Sequence, residues 1–278
     1  MKNAACITGI VLFFSVADAT AQTSVADDAP QVKGRKAVSC YPVSQKDMMW
    51  SKRVWRTIDM REKFNHPLYY PEVPAQGRTS LFDAIKSGML SGEINGYDVA
   101  DNGVPFSVQM SKMQIDRMFK SQTPVSVRGN EELSLYNQQY SETSVLSSEI
   151  TAWWIMEDWF FDRARSVMDV RIVGMCPLRE HKDRTGNVIG YKPMFWLHFA
   201  QLRPVLARFT CYNVKNDASV LSYDDVLQKR MFSSYIHKES NMYESGMPVI
   251  ELPGLEAQYE SDRIRSELAT MEHDFWNY

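Results

Sequence analysis

The sequence predicts an α+β fold in which an antiparallel β-meander, at about residues 150–203, packs with N- and C-terminal helices. This stretch carries four of the seven tryptophans and the densest run of aromatic and β-branched residues, which favour strands. A loop containing glycine and asparagine, HKDRTGNVIG, divides it as a hairpin connection would. The flanking segments have apolar residues at helical spacing, so we expect helices to cover the sheet.

The chain begins with the pattern of a secretory signal peptide at residues 1–21. Lys2 supplies a positive charge, residues 4–16 are mainly apolar, and Ala19-Thr20-Ala21 fits a cleavage site. The apolar run is shorter than the roughly 20 residues that span a bilayer, so we expect export of a soluble protein. Residues 22–44 are small, polar and interrupted by prolines, which predicts a flexible N-terminal arm.

Residues 45–120 are predicted to be mostly helical. Trp50, Val54 and Ile58 recur every four residues, which predicts a helix from Asp47 to about residue 64. Arg53 and Arg56 would then lie on its other faces, either solvated or in contact with an acidic partner. Further helices are predicted at 79–88 and 107–119, and between them a strand at 93–100 and a turn at 101–103.

Residues 121–147 are polar and weakly patterned, which predicts a linker or long loop. Apolar and polar residues alternate briefly at 125–127, so an edge strand within this segment is an alternative. Residues 148–278 are predicted to hold the β-meander and the C-terminal helices. Its first strand, at 150–161, also fits a helical stripe, but tryptophan and isoleucine favour the strand.

The remaining elements follow from alternation and capping. In the second strand, alternation places Ile172 and Cys176 on one face. Pro204 is expected to end the sheet. Ser222 and Asp225 predict a helix start, and a charged helix is predicted from 255 to about 272.

Composition and motifs exclude several classes of protein. The apolar fraction of 44% is that of a globular chain. Acidic and basic residues are mixed along the sequence and give a net charge of −3, so the basic surface of a nucleic-acid-binding protein is not predicted. The sequence contains no phosphate loop, nucleophile elbow or His-Glu-x-x-His motif. The five histidines never stand three or four apart, so only a metal site built from distant segments remains open. No catalytic residue, cofactor or metal is predicted.

Two groups of residues are candidates for function. Glu157 and Asp158 lie inside an aromatic run, where carboxylates could serve as general acids, but pairing with Arg163, Arg165 or Arg171 is the other interpretation. Candidates for a partner interface are aromatic or basic. They are Trp153, Trp154, Trp159, Trp276, Arg53 and Arg56. For the tryptophans, core packing and a glycan platform are alternatives.

Three cysteines follow the signal peptide. Cys176 and Cys211 both flank the central strands, which favours a disulfide between them in an oxidising compartment. Three buried or free thiols remain the alternative.

Several blocks of sequence, taken in order, carry a family resemblance. The early blocks are DMMWSKRVWRTIDMREKFNHPLYYP and GRTSLFDAIKSGMLSGEI, and the later ones are EDWFFDRARSVMDVRIVGMCPL, MFWLHFAQLRPVLARF, KRMFSSYIHKESN and ESDRIRSELATMEHDFWNY. Together they resemble the GldN/PorN family of the type IX secretion system, over about residues 45–100 and 150–278.

The resemblance implies a structural protein rather than an enzyme. It implies a periplasmic protein, peripheral to the outer membrane, that self-associates in a ring with a GldK/PorK-like outer-membrane lipoprotein. It also implies contact with the periplasmic domain of a GldM/PorM-like motor component, and a role in protein secretion and, in gliding relatives, motility. No nucleic acid is implied, and membrane association would be indirect. A cell-wall glycan-binding or glycan-cleaving protein is the alternative.

Overall fold

The structure is a computed structural model that describes residues 35–74, 77–99, 105–125, 139–182, 188–213, 216, 220–240 and 255–276. Residues 32–278 form one compact unit. The predicted signal peptide, most of the predicted arm and the predicted turn at 101–103 lie outside the described residues.

A mostly antiparallel sheet forms the centre of the molecule. Its strands are β1 (Met48–Asp59), β2 (Gly96–Tyr97), β5 (Ile150–Asp162), β6 (Val167–Lys182), β7 (Val188–Pro193), β8 (Trp196–His198) and β11 (Tyr235–Glu239). Their order is β11-β1-β5-β6-β8-β2, and β7 also pairs with β6. Two small sheets pair β3 (Lys120–Val125) with β4 (Gln139–Ser144), and β9 (Thr210–Cys211) with β10 (Leu221–Ser222).

In the ranges that the structure describes, six α-helices accompany the strands. They are α1 (His66–Tyr69), α2 (Leu81–Leu90), α3 (Lys112–Phe119), α4 (Phe199–Leu206), α5 (Tyr223–Gln228) and α6 (Leu255–Trp276). Helices α2 to α5 share one large apolar core with one face of the sheet. The predicted α+β class with an antiparallel meander core is confirmed.

The predicted helix at residues 47–64 is wrong, because most of this segment is strand β1. Residues four apart share a face in a strand as well as in a helix, so Trp50, Val54 and Ile58 could not distinguish the two. Strand β1 pairs antiparallel with β5, and Val54 lies opposite Glu157. The region predicted as mostly helical therefore contributes a central strand to the sheet.

Strands β6 and β7, which flank HKDRTGNVIG, pair as the predicted hairpin. Strand β5 is present as predicted and pairs antiparallel with β6. A register shift between Met156 and Glu157 leaves Val173 without a partner in β5. This irregularity reverses the alternation, so Ile172 packs with the main core while Cys176 belongs to a cluster on the other face. Placing these two residues on one face was wrong.

The sheet ends earlier than predicted. Helix α4 begins at Phe199 and contains Pro204, so Pro204 does not end a strand. Phe199, Leu202 and Leu206 are buried at helical spacing, and this periodicity outweighs the strand propensity of the preceding residues. The predicted linker at 121–147 is also partly wrong, since β3 and β4 lie within it.

Capping residues mark the starts of three helices, whereas the predicted stop at Gly88 is wrong because α2 continues to Leu90. Ser222 and Asp225 form a reciprocal capping box at the start of α5, as predicted. Ser80 caps α2, and Ser111 with Gln114 caps α3. The final helix α6 extends through Trp276, four residues beyond its predicted end.

Replacing Gly174 with alanine is expected to destabilise the fold. A methyl group there would overlap the Phe106 ring and lie 3.1 Å from the Leu197 carbonyl oxygen. Overpacking of this kind costs about 1–3 kcal/mol of unfolding free energy, measurable by urea denaturation. Gly190→Ala is the matched control, with no atom within 4 Å of the new methyl group and an expected change within about 0.5 kcal/mol. Equal stability of the two variants would contradict the packing described for Gly174.

Candidate interaction surface on the central sheet

Strand β5 divides its tryptophans between the two faces of the sheet. Trp153 is 1% exposed and packs in the main core beside Ile155. Trp154 projects from the opposite face, against a cluster that includes Met156 and Cys176. Trp153 is therefore a core residue, whereas Trp154 remains partly accessible.

We call the surface around Trp154 the aromatic face. It consists of Trp55, Tyr97, Phe106, Trp154, Trp196 and His198. Phe106 stacks on His198 with ring centroids 3.8 Å apart, and Tyr97 meets the same imidazole edge-on at 4.9 Å. Burial lowers the pKa of His198 below its usual value. Trp55 and Trp154 are only partly buried, and the indole N–H of Trp154 has no hydrogen-bond partner among the described residues.

His237 of β11 borders the aromatic face. Its side chain is buried, and its Nδ1 lies 2.9 Å from the Thr57 hydroxyl oxygen. The imidazole lies 5.3 Å from the Trp154 ring, between centroids. Burial, reinforced by the nearby Lys238 ammonium group, lowers the pKa of His237 to about 3. The ring is therefore neutral at physiological pH.

Glu157 lies on the helix-covered face and is held by Arg230. The guanidinium group donates hydrogen bonds of 2.8 and 3.1 Å to the two carboxylate oxygens. The indole N–H of Trp159 donates a third, of 3.2 Å, to the same carboxylate. Glu157 is fully buried, so three charge-assisted or polar contacts compensate its removal from water.

Asp158 has a different partner on the opposite face. Arg53 donates hydrogen bonds of 2.6 and 2.8 Å to its two oxygens across the β1–β5 pair. The expected pairing of Glu157 or Asp158 with Arg163, Arg165 or Arg171 is wrong, because β1 and the segment after α5 supply the partners. Since the two carboxylates lie on opposite faces, they cannot act together on one glycosidic bond.

Arg56 lies near Glu157, but among the described residues its guanidinium group makes no direct contact with a carboxylate. Its guanidinium group donates hydrogen bonds to the hydroxyl and carbonyl oxygens of Ser234. Burial lowers the pKa of the Arg56 guanidinium group. The positive charges of Arg230 and Arg265 lower it further, whereas the negative charge of Glu157 raises it. Arg56, Arg230 and Arg265 therefore lie close enough to Glu157 to interact with one another electrostatically.

The predicted disulfide between Cys176 and Cys211 is not present. Both are free, buried thiols, and Cys40 is free and exposed. Cys176 lies in the cluster on the aromatic face and Cys211 in the main core, so the sheet separates them. Burial raises the pKa of each buried thiol to about 12, which keeps both protonated.

Helix α6 packs on the outer end of the sheet. Ile264 and Leu268 are buried against Val54 and Ile236, and burying each such side chain contributes about 1.5–3 kcal/mol. A groove of about 640 Å³ remains between the helix and β1. Trp50, Lys52 and Met271 are among its lining residues. Trp276 lies in the last turn of α6, and its side chain is outside the described part of the structure.

Within the described ranges, no three His, Cys, Asp or Glu side chains are grouped to hold a metal ion. No helix in the same ranges is long and apolar enough to cross a membrane.

The family comparison accounts for almost all of the folded chain. A family model described as gliding motility associated protein GldN matches residues 43–277. The chain belongs to the GldN family. No curated protein matches it significantly. The match includes residues 104–147, a segment that carries little resemblance to the family in the sequence blocks given above.

Membership of the GldN family supports a role related to gliding motility and type IX secretion. In this GldN-family chain, the sequence made Trp154, Trp159, Arg53 and Arg56 candidates for a partner interface, which stays a prediction, and gave no signal for their neighbours. Arg230 lies 73 residues after its partner Glu157, His237 lies in β11 near the end of the chain, and neither carries a local motif. Only the fold brings them beside β5.

Neutral His237 predicts a loss of stability on mild acidification. The folded state holds its pKa near 3, whereas an unfolded histidine has a pKa of about 6.5, so the unfolded chain binds the proton first. Unfolding free energy should fall as pH drops below about 6.5, by on the order of 1–2 kcal/mol between pH 7 and pH 5. Chemical denaturation at several pH values measures it. His237→Gln should flatten this dependence, and an unchanged slope would contradict the assignment.

The two carboxylates should differ sharply in their structural effect. Glu157→Gln leaves Arg230 with a half-buried, uncompensated charge, which should cost about 3–5 kcal/mol of unfolding free energy. Asp158→Asn removes a more exposed pair and should cost no more than about 1 kcal/mol. Thermal and urea unfolding compare the two isosteric variants. Equal losses would show that Glu157 is not the buried partner described.

Proposed function

We propose that this protein is a non-catalytic structural subunit of the type IX secretion system. It forms a periplasmic ring with a GldK/PorK-like outer-membrane lipoprotein and contacts the periplasmic domain of a GldM/PorM-like motor component. It thereby supports secretion of cargo proteins and, in gliding relatives, motility. The observation that carries the proposal is the GldN family match over residues 43–277.

The proposed location follows from the N-terminal sequence. Residues 1–21 have the pattern of a signal peptide for export, and the lipoprotein partner would hold the protein at the outer membrane. Fractionation of cells should find the protein in the periplasm, peripherally associated with the outer membrane. Its release into the soluble fraction when the lipoprotein is deleted would support indirect attachment.

The aromatic face suits contact with another protein. Interface cores are enriched in tryptophan, tyrosine and arginine, and Trp55 and Trp154 are partly accessible there. Lys238 lies 5.0 Å from the centre of the Trp55 ring, and the Arg53–Asp158 pair lies along the same face. This combination gives an apolar centre with charged residues at its border.

Purification with the lipoprotein partner tests the assembly. Co-expression should give large particles in size-exclusion chromatography and rings in electron micrographs. A stable monomer with no affinity for the lipoprotein would overturn the proposal. Affinity purification with crosslinking and mass spectrometry from native membranes would identify the contacting residues.

Truncating the aromatic face should weaken partner binding. Trp154→Ala removes a half-buried anchor, and loss of such an interface residue costs about 2 kcal/mol or more, roughly 30-fold in Kd. Binding to the lipoprotein is measured by surface plasmon resonance, after circular dichroism confirms folding. Ile189→Ala, at an exposed apolar position on β7, is the control and should leave Kd unchanged.

A further inference from the structure

A charged layer separates the two apolar clusters on the helix-covered face of the sheet. Val54, Arg56 and Ile58 alternate along β1, so their side chains project from the same face. The register of β1 against β5 runs unbroken through these positions. Val54 belongs to the cluster beneath α6, and Ile58 belongs to the main core. Arg56 therefore lies between the two clusters, where its side chain is half-buried.

The buried carboxylate of this layer, Glu157, is already neutralised. Arg230 donates hydrogen bonds from both of its terminal nitrogens to the two oxygens of Glu157. The rings of Trp159 and Phe232 lie 5.8 and 5.5 Å from the Arg230 guanidinium group, and these contacts help to hold it in place. The Glu157–Arg230 pair carries no net charge, so it does not neutralise a further arginine.

Arg56 is next to this pair but has only neutral partners. Its Nε and Nη2 atoms donate to the hydroxyl and carbonyl oxygens of Ser234, at 2.9 and 3.2 Å. Its Nη1 atom makes no hydrogen bond with a described residue. The Ser234 hydroxyl accepts from Arg56 and keeps its own proton for another acceptor. A half-buried guanidinium group without a counter-charge is unfavourable, so this position favours binding of an anion.

A second unpaired guanidinium group comes from α6. Ile264 is buried against the sheet, and Arg263 on one side of it contacts Glu239. Residues two apart on a helix lie about 200° from each other, so Arg265 lies on the other side of Ile264. The positive charges of Arg265 and Arg56 repel each other, so the two side chains are neighbours where the helix meets the sheet. Arg265 is exposed and, within the described ranges, makes no hydrogen bond or ion pair.

We propose that Arg56, Arg265 and the Ser234 hydroxyl bind a phosphate group. The two arginines supply two positive charges, and a phosphate monoester carries about −1.5 to −2 at neutral pH. A carboxylate would neutralise only one of them. Guanidinium groups suit phosphate because their N–H groups form a planar fork that donates to two oxygens at once.

The phosphate group has two sources of the same chemistry. One is inorganic phosphate in solution, and the other is the phosphomonoester of a lipid headgroup. Arg265 is exposed, so either source reaches it without a change in the fold. The inference concerns a ligand of the single subunit and does not depend on the proposed ring.

Titration calorimetry with inorganic phosphate tests the site on the full exported chain at low ionic strength. Phosphate should bind, and acetate should bind at least about tenfold more weakly. Arg265→Gln should weaken phosphate binding about tenfold or more, because it removes a charge-assisted contact. Arg56→Gln should have a similar effect once circular dichroism verifies folding. Since Arg265 is exposed, Arg265→Gln keeps the test valid if Arg56→Gln does not fold.

A matched control makes the same change of charge elsewhere on the surface. Arg117→Gln replaces an exposed arginine of α3 and should leave the Kd for phosphate unchanged. Equal losses in Arg117→Gln and Arg265→Gln would overturn the site, because they would reflect the net charge of the chain.

Sedimentation with lipid vesicles distinguishes the two sources. Vesicles of phosphatidylcholine with phosphatidic acid display phosphomonoesters, whereas phosphatidylglycerol at equal surface charge displays phosphodiesters. Binding to the first kind alone, lost in Arg265→Gln, would support the site and identify a lipid headgroup. Binding of phosphate in solution without binding to either kind of vesicle would support the site and identify the free ion.

Other results would overturn the phosphate site. They are no binding of phosphate by either method, binding unchanged in both arginine variants, and equal binding to both kinds of vesicle without binding of free phosphate. Acetate bound as tightly as phosphate would also overturn it, and would indicate an acidic side chain of a partner instead. Each of these results leaves the ring subunit proposal intact, because that proposal rests on the family match.

Discussion

The pairing of β1 with β5 is the constraint on which the rest of the structure depends. It joins residues separated by 105 positions in the chain, and twelve residues of β1 extend along β5. Because this pairing fixes the register of β5, it also determines which side chains reach each face. Arg53 meets Asp158 on one face, while Val54 lies opposite Glu157 on the other. The helical core, the aromatic face and the docking site for α6 are all built on this pair.

The two faces of the sheet have different roles. One face is closed by α2 to α5 and includes the buried Glu157, which is paired with Arg230. The other face is closed at one end by Tyr97 and Phe106, and leaves Trp55 and Trp154 partly exposed. The irregularity at Val173 maintains this division, because it moves Cys176 to the aromatic face and brings Met175 into the core. A single extra residue thus sets the composition of both faces.

The sequence predicted best what depends on neighbouring residues. The β6–β7 hairpin, the cap at Ser222 and the helix α6 all follow from local patterns, and each is present. Strand β1 was misread because a four-residue repeat fits both periodicities, and only its partner β5 decides between them. The partners of Glu157 and Asp158 were missed for a related reason. Arg53 and Arg230 come from opposite ends of the folded chain, and no spacing rule connects them to β5.

Strand order also sets the timing of folding during synthesis. Thr57 of β1 and His237 of β11, which share a hydrogen bond, are 180 residues apart. A ribosome adding about 5–20 residues per second needs roughly 10–40 s to produce the second after the first. During that interval β1 has one edge without its native partner, and its apolar residues cannot be buried beneath α6. The edge of β1 that pairs with β11 therefore stays open to other strands until most of the chain has been made.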